Sequence, residues 1–286
     1  FLNLLKKHCI YNFMKITVKD IQEYKNKNIP FASITAYDYF SAMKADVAKI
    51  PFILVGDSAA MVIYGMETTI PITMDEMIFL VKAVSRGSDR ALIVADMPFM
   101  SYQASIEDAV RNAGRFIKEG SAGAVKLEGG TCYKKQIKAI INAGIPVVGH
   151  IGLLPQSYHL SSGYKIQGKT TLEANKIIDD AFSIQESGAF AVVLEGIPSN
   201  LAKKITQDLK IPTIGIGAGP HCNGQIQVFH DIMGFDKENA PKHSKPYGNL
   251  GNEMKKILLE YNKDVQKNKF PQKSNYIESS TLLIED

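Results

Sequence analysis

Cysteine is scarce in this chain of 286 residues, and its three copies, Cys9, Cys132 and Cys222, lie far apart. They form neither a CxxC pair nor the even set of a disulfide framework, which argues against a disulfide-stabilised secreted fold. No cysteine or histidine spacing typical of a zinc site is present either. We therefore expect a reducing compartment and a cytoplasmic location.

Arginine and long apolar runs are lacking too. Only four of the 33 basic residues are arginine, and the net charge is +4. Arginine is the usual residue for reading phosphates and bases, so we expect no nucleic-acid partner. No apolar run reaches the length of a bilayer span, so we expect no membrane partner. The remainder, 45% hydrophobic and 22% charged, is typical of a globular protein with a sizeable core.

The two ends of the chain differ in composition from its middle. Residues 1–13 are apolar first and basic second, the reverse of a secretory signal. We expect them to be a disordered leader, with an organellar presequence as the alternative. We expect one catalytic domain over residues 14–264. Lysine, asparagine and glutamate dominate beyond it, which predicts a poorly ordered tail over residues 265–286.

Short, almost continuous apolar runs predict strands that are buried on both faces, as in parallel sheets. Helical periodicity between these runs indicates repeated βαβ units. We therefore predict an α/β fold, a (β/α)₈ TIM barrel, with a doubly wound open sheet as the alternative. The predicted strands are residues 31–35, 52–55, 91–95, 122–127, 146–149, 191–194 and 213–216, with 225–229 as the eighth.

Helices are predicted over residues 106–119, 173–187, 200–209 and 252–261, where apolar residues recur at helical spacing. A further helix begins after Thr73. Glu76 follows that threonine at the spacing of a capping box, in which each side chain bonds the other residue's backbone N–H.

Charged side chains occur within several of the predicted strands or within two residues of their ends. In a barrel these strand ends meet at one rim, where active sites form. Carboxylates that converge there would repel one another unless a divalent, oxygen-preferring cation such as Mg²⁺ compensates. Taken singly, each acid could be a helix cap and the histidine a core residue. The residues are Asp57, Asp96, Lys126, Glu128, His150 and Glu195.

A glycine-rich stretch, Gly215 to Gly219, resembles a nucleotide-binding motif. Pro220 stands where the dinucleotide fingerprint needs its last glycine, so tight packing at the rim is the better interpretation.

At these positions the sequence resembles the ketopantoate hydroxymethyltransferase family. The resemblance runs from about residue 16 to residue 235, and several of its segments are long and chemically unusual. The segments are residues 35–39, 55–58, 69–73, 95–100, 125–130, 149–157, 163–168, 193–195 and 214–219.

The resemblance implies a barrel of the phosphoenolpyruvate/pyruvate type, bound Mg²⁺, methylenetetrahydrofolate as one-carbon donor and a homodecamer built as a pentamer of dimers. It implies that Asp57, Asp96 and Glu128 are Mg²⁺ ligands. Asp57, Ser58, Asp96 and Lys126 would contact the 2-oxo acid substrate, and Glu195 would be the base. The reaction that the resemblance implies transfers a hydroxymethyl group from methylenetetrahydrofolate to 3-methyl-2-oxobutanoate, giving ketopantoate and tetrahydrofolate in the first step of pantothenate synthesis. We expect it to proceed through the enolate of the Mg²⁺-chelated 2-oxo acid. His150 is expected to have a role at the rim.

The sequence departs from the family pattern at residues 59–60, 66–67 and 196, and none of these is an implied ligand or base. Two other hypotheses remain. One is a 2-oxo acid lyase or phosphonomutase with the same barrel and metal site; the other is a degenerate barrel that serves as a scaffold.

Overall fold

The computed structural model describes residues 14–161 and 163–278. The predicted leader, residues 1–13, and the last residues of the predicted tail lie outside the described residues. The chain divides into two compact units, one that ends at Phe229 and one that begins at His230. The predicted domain limit at residue 264 stays a prediction, although this division falls earlier in the chain.

Eight parallel strands close into a barrel in sequence order, with β8 paired to β1. The predicted (β/α)₈ barrel is confirmed, and the open-sheet alternative is wrong. Closure gives every strand two neighbours, so no sheet edge remains in the barrel. The strands are β1 Phe31–Thr35, β2 Phe52–Val55, β3 Leu92–Asp96, β4 Ala124–Glu128, β5 Val147–Gly152, β6 Ala191–Glu195, β7 Thr213–Ile216 and β8 Gly224–Gln227.

The barrel strands are buried because they are covered on both faces. Every residue of β2, β3, β4 and β7 is buried. Val94, Ala124 and Ile214 belong to one apolar cluster and have no exposed surface. Full burial of a valine or isoleucine side chain contributes about 1.5–3 kcal/mol, which stabilises the strands that carry the rim residues.

In the barrel unit, one described helix precedes β1 and the others lie between successive strands as far as β7. They are α1 Val18–Asn26, α2 Tyr39–Val47, α3 Ala59–Val62, α4 Met74–Gly87, α5 Ile106–Lys118, α6 Lys134–Asn142, α7 Tyr158–Ser161, α8 Thr171–Glu186 and α9 Ser199–Asp208. The predictions for α5, α8 and α9 are confirmed with small shifts at their ends. Short 3₁₀ helices, Thr131–Tyr133 and Pro155–Ser157, follow β4 and β5.

Helix α4 begins as the sequence predicts. The Thr73 hydroxyl accepts from the Glu76 backbone N–H at 3.3 Å, and the Glu76 carboxylate accepts from the Thr73 N–H at 2.8 Å. This reciprocal cap satisfies two N–H groups that have no partner within the helix. The helix buries Met77, Ile78 and Val81.

The unit from His230 onward is mainly helical. It contains most of α10 (Phe229–Met233), all of α11 (Leu250–Gln266) and a 3₁₀ turn at Lys273–Asn275. The helix predicted over residues 252–261 lies inside α11, which is longer at both ends. None of the described helices is long and apolar enough to cross a membrane.

Candidate active site

The strand ends carry the predicted site residues to one rim of the barrel. Asp96, Glu128 and Glu195 are the last residues of β3, β4 and β6. Strand register places Asp96 beside Lys126 and Glu128 beside His150. Strands β3, β4 and β6 each end one residue later than the sequence predicted, because the charged residue is still paired with the neighbouring strand. Asp57 and Ser58 follow β2 after one intervening residue, Gly56.

A buried ion pair joins Lys126 and Asp96. The lysine Nζ donates to both carboxylate oxygens, at 2.7 and 2.8 Å, and the two side chains are only 5% and 2% exposed. Burial alone would lower the pKa of Lys126, but Asp96, Glu128 and Asp57 together raise it above its usual value. Lys126 therefore stays charged and offsets part of the negative charge around it.

Asp57 lies next to this pair. Its backbone N–H donates to Asp96 Oδ2 at 3.2 Å, and its own carboxylate accepts from Gln156 Nε2 at 3.0 Å. Burial first, then the charge on Asp96, raises the pKa of Asp57 well above its usual value. Burial also raises the pKa of Asp96, against the opposing effect of Lys126. Three acids thus surround one lysine, and binding of a further cation would relieve their mutual repulsion.

His150 lies between two acids. Its Nε2 is 3.2 Å from Glu195 Oε2, and its Nδ1 is 3.6 Å from Glu128 Oε1. Neither contact meets the geometric criteria of a hydrogen bond, so each is an electrostatic contact between the imidazole and a carboxylate. Burial and Lys126 act to lower the pKa of His150, but Glu128 and Glu195 outweigh them and raise it to about 9.

Glu195 is the most accessible of these acids, with a side chain that is 19% exposed, against 3% for Glu128. Gly152 packs against it from β5 in a left-handed conformation (φ 98°), and a Cβ there would overlap the Glu195 carbonyl oxygen. The site therefore presents one reachable carboxylate beside a buried acidic cluster. That is the arrangement needed for a general base that does not ligate a metal.

Ser58 lies at the same rim, half-buried, and its hydroxyl contacts the Tyr37 hydroxyl at 2.8 Å. Tyr164 lies close enough for the acids to act on its phenol. Burial first, then Asp57 and neighbouring groups, raises the pKa of Tyr164 to about 12.

Sequence reasoning assigned no role to two buried residues at this site, Gln156 and Tyr102. The Tyr102 hydroxyl lies 3.1 Å from the backbone N–H nitrogen of Glu128 and 3.1 Å from the carbonyl oxygen of Glu128. Gln156 lies within residues 149–157, a segment that carries the family resemblance, and that was the only signal available for it. Neither side chain ionises near neutral pH, so a search for charged strand ends does not find them.

The donor chemistry of this rim fits Mg²⁺. Carboxylate oxygens are the hard ligands that Mg²⁺ prefers, and it needs only one or two from the protein beside water and substrate. Glu128 Oε1 is buried and has no hydrogen-bond partner, so it is an acceptor still to be satisfied. Within residues 14–161 and 163–278, no three or more His, Cys, Asp or Glu side chains form a closed ligand set. Lys126 occupies both oxygens of Asp96 in this arrangement.

Sequence comparison assigns the chain to a protein family. The chain matches the model of ketopantoate hydroxymethyltransferase over residues 15–273. The chain belongs to the ketopantoate hydroxymethyltransferase family. It is 50% identical over 273 residues to 3-methyl-2-oxobutanoate hydroxymethyltransferase of Clostridium acetobutylicum, covering 96% of this chain and 99% of the relative. It is 48% identical to the enzyme of the same name from Carboxydothermus hydrogenoformans, covering 95% and 98%.

Solved structures share the fold at low sequence identity. Phosphonopyruvate hydrolase in complex with oxalate and Mg²⁺ aligns with a TM-score of 0.60 at 12% identity, covering 92% of this chain and 93% of that one. 2,3-Dimethylmalate lyase, a PEP mutase/isocitrate lyase superfamily member, aligns with a TM-score of 0.58 at 17% identity, covering 94% and 93%. These neighbours confirm the predicted barrel type.

Proposed function

We propose that this protein is a 3-methyl-2-oxobutanoate hydroxymethyltransferase. It would transfer a one-carbon unit from methylenetetrahydrofolate to 3-methyl-2-oxobutanoate, giving 2-dehydropantoate (ketopantoate) and tetrahydrofolate in the first step of pantothenate synthesis. The observation that carries this proposal is the accessible Glu195 carboxylate at the rim, next to the buried group formed by Asp57, Asp96, Lys126 and Glu128. The names of the relatives support 3-methyl-2-oxobutanoate as the substrate, and the folate donor is what the family resemblance of the sequence implies.

Asp57, Asp96 and Glu128 would hold Mg²⁺, since their oxygens share one buried pocket with excess negative charge. When bound, the metal supplies a Lewis acid for the substrate oxygen on which negative charge develops.

Lys126 and Ser58 would orient the 2-oxo acid. The lysine ammonium is a cation among these acids, so it attracts the substrate carboxylate toward its Nζ. The Ser58 hydroxyl lies 2.8 Å from the Tyr37 hydroxyl. It would accept a hydrogen bond from Tyr37 and donate its own proton to the substrate. Two fixed contacts limit the substrate to one orientation, which presents its C3 carbon to the base.

Glu195 would remove the proton from C3. Its carboxylate is accessible at the rim, and His150 Nε2 lies 3.2 Å from its Oε2, a contact that limits the directions in which the carboxylate can turn. The resulting carbanion attacks the methylene carbon of the folate donor, and one of the two carbon–nitrogen bonds of that methylene breaks, so that the freed folate nitrogen takes up a proton. Water then replaces the second folate nitrogen and supplies the hydroxyl group, and Glu195 returns its proton to solvent or to a folate nitrogen.

The assembly and location remain part of the proposal. We propose a homodecamer, a pentamer of dimers, in the cytoplasm, with the 2-oxo acid and the folate as small-molecule partners and no nucleic-acid or membrane partner.

A direct assay tests the proposed reaction. Purified protein, 3-methyl-2-oxobutanoate, methylenetetrahydrofolate and Mg²⁺ should yield ketopantoate, detected by mass spectrometry, and chelation of the metal should stop the reaction. Cleavage of a 2-oxo acid without folate would assign a lyase instead. No chemistry on any 2-oxo acid, together with no Mg²⁺ binding, would favour the scaffold hypothesis.

A further inference from the structure

Gln156 links the ends of three strands around the acidic pocket. Its side chain is buried, and its Nε2 donates to Asp57 Oδ2 at 3.0 Å and to the Met97 carbonyl oxygen at 2.9 Å. Its backbone N–H donates to Glu128 Oε2 at 3.1 Å. One residue from the 3₁₀ helix after β5 therefore contacts one oxygen on each of two acids from β2 and β4.

The orientation of the amide is fixed by its surroundings. The Met97 carbonyl can only accept, so the group that faces it must be the NH₂. The Gln156 Oε1 accepts from the Tyr102 hydroxyl and from Gln103 Nε2, both at 3.0 Å. A flipped amide would turn its oxygen toward the Met97 carbonyl oxygen and the Asp57 carboxylate, and both of those bonds would be lost. The NH₂ group is thus held against Asp57.

We propose that Gln156 is a positioning residue that prepares Asp57 and Glu128 to bind a divalent cation. It engages Asp57 Oδ2 and Glu128 Oε2, which leaves Asp57 Oδ1 and the unpartnered Glu128 Oε1 to meet the ion. The inference rests on the proposed Mg²⁺ site and adds the residue that sets the rotation of two of its acids. Ligand carboxylates are commonly oriented by such outer hydrogen bonds, and their loss typically weakens metal affinity.

The alternative is that Gln156 only fills a buried polar niche. In that case its replacement would lower thermal stability and leave metal affinity as it was. The two roles are therefore separated by measuring metal affinity and unfolding on the same variant.

The test uses the full chain without substrate. Gln156→Met keeps the length of the side chain and removes its donor, while the backbone bond to Glu128 remains. We expect the Mg²⁺ affinity, measured by isothermal titration calorimetry, to fall about 10- to 100-fold. Mn²⁺ bound in place of Mg²⁺ should show an altered electron paramagnetic resonance spectrum. Gln103→Met is the matched control, because it removes a donor to the same amide without touching either acid, and it should leave the affinity unchanged.

Three outcomes decide the matter. Wild-type affinity in folded Gln156→Met overturns the positioning role and leaves the proposed function intact. Absence of Mg²⁺ binding by the wild-type protein overturns both. If Gln156→Met does not fold, Gln156→Leu replaces it, because this change also removes the amide donor to Asp57. Weaker Mg²⁺ binding by Gln156→Leu supports the proposal, and unchanged binding overturns it.

Discussion

Lys126 Nζ lies 2.7 and 2.8 Å from the two carboxylate oxygens of Asp96, and both side chains are buried on neighbouring strands. Strand register makes the two residues direct partners across the β3–β4 ladder. The pair sets the charge of the pocket, because it supplies the cation that offsets part of the acidic cluster before any metal is present.

Replacing that lysine should destabilise the protein. Lys126→Met leaves Asp96 buried without its partner, beside Asp57 and Glu128. Breaking one half of a buried ion pair costs about 3–5 kcal/mol. Chemical unfolding of the metal-free variant at pH 7 measures this loss. A loss no larger than that of Lys204→Met, whose ammonium makes a surface pair with Asp208, would contradict the assignment of Lys126 as the main compensating charge.

Neutralising Asp57 should change stability and metal binding in opposite directions. The pKa of Asp57 is raised by burial and by Asp96, so its ionised form destabilises the metal-free fold near neutral pH. Asp57→Asn keeps an acceptor for Gln156 and removes the charge, so we expect a gain of about 0.5–2 kcal/mol without metal. Mg²⁺ binding and turnover should fall together. The exposed Asp89→Asn is the control; normal Mg²⁺ affinity in Asp57→Asn would show that the metal lies elsewhere.

Metal removal should lower the unfolding temperature. A ligand that binds only the folded state at about 100 times its dissociation constant adds about 2.7 kcal/mol. For a domain of this size that corresponds to a shift of roughly 5–11 °C. Calorimetric scans with excess Mg²⁺ and with a chelator should differ by such an amount. Equal unfolding temperatures at saturating Mg²⁺ would argue against the site.

His150 predicts how stability changes with pH in the metal-free protein. Its pKa is raised from 6.5 to about 9 by Glu128 and Glu195. A raised pKa means that the folded state binds the proton more tightly, so this stabilisation is complete below about pH 6.5 and is lost as pH rises through 9. The free energy of unfolding should therefore decline over that window. His150→Gln should remove this part of the decline, and an unchanged slope would mean that another group is responsible.

The barrel could be predicted because the apolar pattern of each strand is contained in a few consecutive residues. Buried parallel strands appear as apolar runs, and β1, β2 and β7 have the predicted limits. Strand ends were placed less well at Asp96 and Glu128, where a charged residue ends an apolar run yet stays in the ladder. The eighth strand ends at Gln227 rather than residue 229, because it is short and less apolar.

The acidic residues of the site were predictable and their partners were not. A carboxylate at a strand end of a barrel points to the rim by topology alone. The bond from Gln156 to Asp57 joins residues 99 positions apart and depends on how the loop after β5 turns across the barrel mouth. The pairing of Lys126 with Asp96 depends in the same way on register, which the sequence does not specify residue by residue.

Proton exchange at C3 tests the central claim that Glu195 forms the enolate. The measurement is proton NMR of 3-methyl-2-oxobutanoate in D₂O with Mg²⁺ and without folate, for the wild-type protein and Glu195→Gln. We predict metal-dependent loss of the C3 proton signal in the wild type and a rate lower by about 10²–10⁴ in the variant, with Mg²⁺ affinity retained. Exchange at the wild-type rate in Glu195→Gln would contradict the account, because the base would then be a different residue.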